Sequence, residues 1–424
     1  MSDSTSSTKQ RPKRRRWLSF SIRGLMFMVL LFAVLLGWLG RDIYQHSREK
    51  SISKQIEATG GNVYWNGRIW SDDPFVSQFS DPFGSSLTRY QQWMVWAYGE
   101  NLYDHIHSVE FFSSEKESLL TQFVGLPELN SLTIGRGKIS DVSVDAIAQL
   151  RSLERLSFYH TEITPSQLKR LSKLPSLTTI NFQGTPDYLA ALAHFPRLES
   201  ITIRCDHLTK ECIASLGNVR GLIEFDVGSE SLQPIGKAEL VALASLNQCQ
   251  TLRIHDFSVD DQALEAISEM TSLSDLKIDT NAVNLSISNE GLNYLCKLTS
   301  LTRLSIPSAK FDDNSLEILS KLPSIEVISC EGSKVTDAGL KHLESLPNLN
   351  DLSIPGCQVS ANAIRSLTTS TFLEHLDIGG RSKWQLDHVL TFIPARRRMQ
   401  SVELLDDETD ESPEVNPTGE GGIF

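Results

Sequence analysis

The sequence predicts an α/β solenoid behind an N-terminal transmembrane helix, with parallel strands on a concave face and helices on a convex face. Three observations predict it. A frame of apolar residues recurs from residue 126 onward with a period of 24 residues, and a fixed period of this length marks stacked repeat units. Within each unit an alternation of period two gives way to apolar residues three apart, so a strand precedes a helix. Near the N-terminus an apolar run, Gly24–Gly40, follows a basic block.

Composition is compatible with that fold and closes other routes. Of 424 residues, 40% are hydrophobic and 22% charged, ordinary proportions for a packed core. A wholly disordered, collagen-like or disulfide-dense chain is excluded. The formal charge of −12 hides an asymmetry: residues 1–40 hold seven Lys/Arg and one Asp, which leaves the rest with 33 basic and 51 acidic residues, a net of −18. A body this acidic repels phosphate backbones and argues against nucleic-acid binding. The six cysteines include no CxxC pair, so neither a disulfide scaffold nor a zinc site of the usual spacing is expected.

Residues 1–23 read as a basic cytoplasmic segment, with KQRPKRRR at 9–16 followed by Trp17. Residues 24–40 reach roughly 25 Å as a helix, the short end of what spans a bilayer. Trp17 and Trp38 lie near the ends of the span, where indoles favour the headgroup layer. The basic block before the run, against the mixed RDIYQHSREK after it, orients the N-terminus inward and the body outward. A cleaved secretory leader has a similar layout, but the exit Gly37-Trp38-Leu39-Gly40 is not an A-x-A-like site. An uncleaved single-pass anchor is therefore expected, followed by a juxtamembrane helix or linker at 41–60.

Residues 113–404 carry the repeats. Units begin at 126, 150, 174, 195, 219, 246, 270, 298, 322, 346 and 370, with apolar residues at positions 1, 4, 7, 9, 14, 19 and 22. Leu322, Ile325, Ile328, Cys330, Val335, Leu340 and Leu343 form the clearest set. Leu298, Leu301, Leu304, Ile306, Phe311, Leu316 and Leu319 repeat it. Positions 7 and 9 alternate with polar residues, as in a strand with one buried face. Ser140-Asp141, Asp312-Asp313 and Thr336-Asp337 are placed to cap a helix start. Pro127, Pro175, Pro196, Pro323 and Pro347 end each helix before the next strand. No unit buries its inward face alone, so stability comes from stacking.

The stretch LPSIEVISCEGSKVTDAGLKHLESLPNLNDLSI at 322–354 resembles the leucine-rich repeat family in its ribonuclease-inhibitor-like form. Thr336-Asp337-Ala338-Gly339-Leu340 matches the T-D-x-G-L signature of that form, and other units keep the apolar frame with part of it. The N-terminal arrangement, a multi-Arg block, Trp, a span ending in GWLG and then Ala58–Tyr64, resembles the anchors of repeat proteins in planctomycete-type bacteria. The resemblance implies an arc-shaped solenoid in a bacterial envelope that binds a partner. It departs at position 12, where an Asn or Cys would ladder along the loop and this chain has Thr161, Thr185, Ser333 and Cys357.

Residues 61–112 are rich in aromatics, among them Tyr64, Trp65, Trp70, Phe75, Trp93 and Tyr103, and are expected to cap the hydrophobic end of the array. Ile106, Val109 and Phe111 suit a leading strand. An aromatic carbohydrate-binding or enzymatic role for 61–112 is the alternative reading. Met399, Val402 and Leu404 suit a last strand. Residues 405–424 hold seven acidic and no basic residues, a composition that predicts a disordered tail.

Function is expected where side chains leave the sheet, at positions 6, 8 and 10. Those rows place Arg155 and Tyr159, then Arg204, then Asp226, then Arg253 and His255, then Asp275, Lys277 and Asp279, then Arg303, on one continuous face. Strands lie about 4.8 Å apart, so opposite charges from Asp226 to Arg303 come within pairing distance. Two readings stay open: a mixed-charge surface recognising a protein partner, or charges that neutralise one another on a solvated sheet. Longer steps insert residues into the loops Gly228–Gly236 and Asp279–Ser288, beside the Arg253/His255 unit, and such insertions often border a binding face.

Chemistry of other kinds finds little support. Asp206-His207 and His255-Asp256 fall on different units without ligand spacing, Cys249 and Cys330 occupy frame positions, and Ser157, His160 and Glu162 lack a nucleophile elbow. No P-loop or dinucleotide fingerprint is present. The sequence thus predicts a non-catalytic interaction module with no cofactor and no metal, held at the membrane by its N-terminal helix.

Overall fold

A computed structural model describes residues 22–65, 105–112, 114–183, 189–205, 209–228, 239, 242–280, 285–307, 309, 311–330, 334–370, 373–378 and 401–403. Two compact units divide it: Met1–Lys54 with Trp65–His105, and Gln55–Tyr64 with Ile106–Phe424.

Helix α1 runs unbroken over Ile22–Glu57. It joins two stretches that the sequence separates, the span at 24–40 and the juxtamembrane segment at 41–60. The glycines between them, Gly37 and Gly40, stand in open space, and neither interrupts the helix. Its large apolar side chains from Leu25 to Phe32, with Val34 and Leu36, are exposed. Among the described residues no helix is long and apolar enough to cross a membrane; the side chains of Gly24, Leu35, Trp38 and Leu39 lie outside the description. Further along, Glu49 is fully buried. It accepts a hydrogen bond from Gln45 Nε2 at 2.8 Å and lies 3.0 Å from His105 Nδ1.

The second unit is built on a 14-stranded sheet. Its leading strands are β1 (Asn62–Trp65), β2 (Ile106–Phe111), β3 (Ser131–Lys138), β4 (Arg155–Glu162) and β5 (Thr179–Gln183). β6 (Ser200–Arg204), β7 (Glu224–Gly228) and β8 (Thr251–His255) follow, and β9 (Val259–Asp260) stands apart. β10 (Asp275–Asp279) rejoins the sheet, and β11 (Leu285–Ser286) pairs with β9 alone. β12 (Arg303–Ile306), β13 (Val327–Cys330), β14 (Asp351–Ser353), β15 (His375–Asp377) and β16 (Ser401–Glu403) complete the sheet. From β2 to β16 each neighbouring pair is parallel. Parallel neighbours need a crossover. A short helix supplies it in most units, such as Asp141–Ile147, Pro165–Leu171, Asp313–Leu319 and Asp337–Leu343.

Register and burial follow the apolar frame. Leu276, Leu304, Ile328 and Leu352 face one another along the sheet, and each is 0% exposed. Leu322, Ile325, Cys330, Val335, Leu340 and Leu343 are buried with them. Burying a Leu or Ile stabilises by about 1.5–3 kcal/mol, so the stacked units hold one another in place. Near the start of the sheet Phe158 and Phe182 stack across neighbouring strands, 5.5 Å between centroids. The unit opening at Leu174 is three residues short of the common period, and its helix, Leu189–Leu192, has only four residues.

The helix starts are capped as expected. Ser140, Asp312 and Thr336 accept from Ser143 N, Ser315 N and Ala338 N respectively. A second device joins the units. The aspartate after the cap turns toward the following unit: Asp313 accepts from Thr336 N at 2.7 Å and Thr336 Oγ1 at 2.6 Å. Asp261 does the same to Ser288 N and Oγ, and Asp337 to Ser360 N. These charge-assisted bonds satisfy donors at the next helix start.

Position 11 is left-handed in four units: Arg136 (φ 51), His160 (φ 50), Asp256 (φ 59) and Gly356 (φ 81). At position 12 Thr161 is buried and donates through Oγ1 to Ile134 O at 2.9 Å. A hydroxyl there does one step of the work of a loop ladder. Residues 66–104, most of the expected aromatic cap, and the expected tail 405–424 lie outside the described residues.

Candidate functional site

Strand geometry sends positions 6, 8 and 10 away from the buried face, and the described side chains there are exposed or half-buried. The register sets Asp226 beside Arg253, and Arg253 beside Lys277. Asp275 stands between Thr251 and Arg303, and Asp279 beside His255. These charges therefore share one face; between β6, β7 and β8 they pair diagonally, and between β8, β10 and β12 straight across. Arg204 Nη1 lies 2.7 Å from Asp226 Oδ1. Arg253 pairs with Glu224 and not with Asp226, its neighbour in register. His255 Nε2 lies 3.4 Å from Asp226 Oδ1, and its Nδ1 lies 3.8 Å from Asp279 Oδ2. Lys277 meets Asp279 at 3.5 Å, and Arg303 Nε meets Asp275 at 3.4 Å.

The diagonal reach of Arg204 has a steric origin. Gly228 stands next to Arg204 in register, and a Cβ there would lie 2.7 Å from Arg204 Cδ. The missing side chain lets the arginine lie across to Asp226. Burial alone would push the Asp226 carboxyl up, but hydrogen bonds from His255 and Arg204 outweigh it and hold the carboxyl below its usual range. Glu224 and Gly228 are the residues the sequence reading undervalued. A glycine among side-chain-bearing outward positions was the available signal.

Arg155 and Tyr159 are not part of this network. They lie on β4, separated from β7 by β5 and β6. Tyr159 is 48% exposed and meets His160 edge to face, 5.2 Å between centroids. Arg155 is exposed and makes no ion pair among the described residues. Beside Tyr159 in register is Gly135, where an added Cβ would lie 2.5 Å from Phe112 Cδ1. The Phe112 ring thus fills the space that a side chain at Gly135 would take. Sequence reasoning placed Phe112 in the cap and passed over Arg136.

Other candidates separate. Ser157 Oγ accepts from Asn181 Nδ2 and Glu162 pairs with Lys138, so Ser157, His160 and Glu162 form no relay. Asp206-His207 and most of the loops at 228–236 and 279–288 lie outside the described residues. Among the described residues no group of three or more His, Cys, Asp or Glu is arranged to hold a metal ion. Cys205, Cys249, Cys330 and Cys357 are buried. Burial pushes Cys249 up to about 11 and Cys330 up to about 12, with Cys357 adding to the latter.

No family model matches the chain, and no curated relative matches it. Among solved structures, an internalin (inlF) from Listeria monocytogenes str. 4b F2365 is 17% identical, covers 64% of this chain and 78% of its own, with a TM-score of 0.42. TLR13 in its complex with ssRNA13 is 15% identical, covers 60% of this chain and 43% of its own, with a TM-score of 0.39. This chain thus spans less than half of the TLR13 chain. Both likenesses concern fold alone, and the parallel α/β repeat architecture stands on the register and burial described above.

Proposed function

We propose that the protein is a leucine-rich-repeat module with ribonuclease-inhibitor-like units that binds a protein partner on the outward face of its sheet and catalyses no reaction. The observation that carries this reading is the two-sidedness of the sheet. One side is sealed by fully buried Leu, Ile and Phe, while the other presents half-exposed polar and aromatic side chains from one parallel strand to the next. Such a face offers many positions for contact. The ion pairs from Arg204 to Arg303 hold the middle of it in a fixed pattern. Partly exposed pairs of this kind add little stability, and their value lies in fixing side-chain positions before a partner arrives.

The same proposal places the module at a membrane, as a single-pass protein of a bacterial envelope with a cytoplasmic N-terminus. The basic block at 9–16 and the apolar run at 24–40 support it, as do the exposed apolar side chains along α1. Contiguous apolar surface of that extent is costly in water and suits lipid.

The test blocks one face at a time in the intact chain. Thr133→Trp with Ser305→Trp sets indoles on the outward face, whereas Val142→Trp sets one on the exposed side of helix Asp141–Ile147, where Val142 is 67% exposed. Partner capture from solubilised envelope should be lost in the first variant and retained in the second. Equal capture by both would contradict the proposal.

A further inference from the structure

We infer that the partner's anchor on this face is the ledge of Phe112, Gly135 and Tyr159, flanked by Arg136 and Arg155, and that it takes an extended acidic peptide segment with an apolar residue between its acids. This rests on reading the face as a protein-binding surface and names the chemistry of what it holds.

Charge singles out this end of the sheet. Among the described residues, the cations Arg204, Arg253, Lys277 and Arg303 each lie against a carboxylate, whereas exposed Arg136 and Arg155 make no ion pair. The outward positions of β3, β4 and β5 are Ser131, Thr133, Gly135, Arg155, Ser157, Tyr159, Thr179, Asn181 and Gln183, none of them acidic. Of the carboxylates on the neighbouring strand positions, Glu162 pairs with Lys138, and Glu110 is held on β1 and β2 by Asn62 Nδ2 and Tyr64 OH. This leaves two exposed arginines that no described carboxylate contacts, a complement for acidic side chains.

Shape and polarity narrow the ligand further. Phe112 is 37% exposed and Tyr159 48% exposed, and with the Phe112 ring laid over Gly135 the two rings offer apolar surface on which an apolar side chain can rest. Exposed aromatic and arginine side chains are the residue types that carry most binding energy in protein interfaces. Arg155 stands beside Ser131 in register, and Arg136 lies five residues further along that neighbour. At about 3.3 Å per residue and about 4.8 Å between strands, the two Cα atoms are roughly 17 Å apart, the reach of about five extended residues.

The test measures fluorescence anisotropy with the full chain in detergent. The probe is a labelled peptide of about ten residues, with two Asp five positions apart and a Phe between them. Its Asn counterpart and a single-stranded RNA of similar length are the alternatives. The acidic peptide should bind saturably, and at least about tenfold more tightly than either alternative. Tyr159→Ala, and Arg136→Ala with Arg155→Ala, should each weaken it about tenfold, while Lys297→Ala on the helix side leaves it unchanged. Unaltered circular dichroism of Tyr159→Ala separates lost contact from lost fold. Absent saturation, equal binding of the Asn peptide, RNA binding of equal strength, or an equal loss with Lys297→Ala would each overturn the inference. If the peptide fails while the Trp-blocking variants still discriminate the two faces, the ledge is wrong and the face reading stands; if blocking also fails, both fall.

Discussion

Asp313 Oδ1 accepts a hydrogen bond from the backbone N–H of Gly339 at 3.0 Å, and a Cβ at Gly339 would overlap that same oxygen. The carboxylate of one unit thus occupies the space that a side chain of the next would need. Gly291 stands in the same relation to Asp261. Thr-Asp-x-Gly is therefore a relay: the Thr caps its own helix, the Asp reaches forward, and the Gly receives the Asp from behind. Gly339→Ala should lower stability by about 1–3 kcal/mol, because the methyl displaces charge-assisted bonds at a helix start. Urea unfolding of Gly339→Ala, Asp313→Ala and the double variant checks this. The double variant should cost less than the sum of the singles, and strict additivity would contradict the relay.

The left-handed residue at position 11 gives a prediction of opposite sign. His160 holds φ 50 where Gly356 holds φ 81 in the equivalent place. A non-glycine residue in that region costs about 1–2 kcal/mol, and glycine removes the cost while losing some chain entropy. His160→Gly should stabilise the chain by about 0.5–1 kcal/mol, read as a raised urea midpoint. A lowered midpoint would mean that the edge-to-face contact with Tyr159 outweighs the strain.

Thiol chemistry reports on packing. Burial suppresses the thiolate of Cys249 and Cys330 by pushing both thiols up, to about 11 and about 12, and the thiolate is the reactive form. At pH 8 an alkylating reagent should leave both unmodified in the folded chain and modify them after unfolding, with peptide mass spectrometry as the readout. Prompt alkylation of Cys330 in the folded chain would contradict its place in the core.

Asp226 supplies a pH dependence. Its carboxyl is held below the ordinary value of 3.8 in the folded chain. A group depressed in this way contributes stability that is present above the unfolded value and lost as pH falls through the folded one. The difference in Tm between the native chain and Asp226→Asn should therefore be full above about pH 5 and shrink below about pH 4. A difference that grows toward acid would refute the role given to His255 and Arg204.

The inward frame could be read in the sequence because burial imposes period: Leu304, Ile328 and Leu352 recur at fixed spacing, and each faces the next. Side-chain direction on the outward face followed from the same period, which placed Asp226, Arg253 and Lys277 on one row. Their pairing could not be read, since long side chains choose partners by reach and free space; Arg253 takes Glu224, and Arg204 crosses Gly228. The relay from Asp313 to Gly339 was visible only as a motif. Nothing in one unit's sequence says that its aspartate serves the next.

The most direct measurement is photocrosslinking in intact cells from two positions of the full chain, Tyr159 on the outward face and Val142 on the helix side. The account predicts a discrete protein adduct from the Tyr159 position that is absent from the Val142 position. Adducts from Val142 alone, or of equal yield from both, would contradict it.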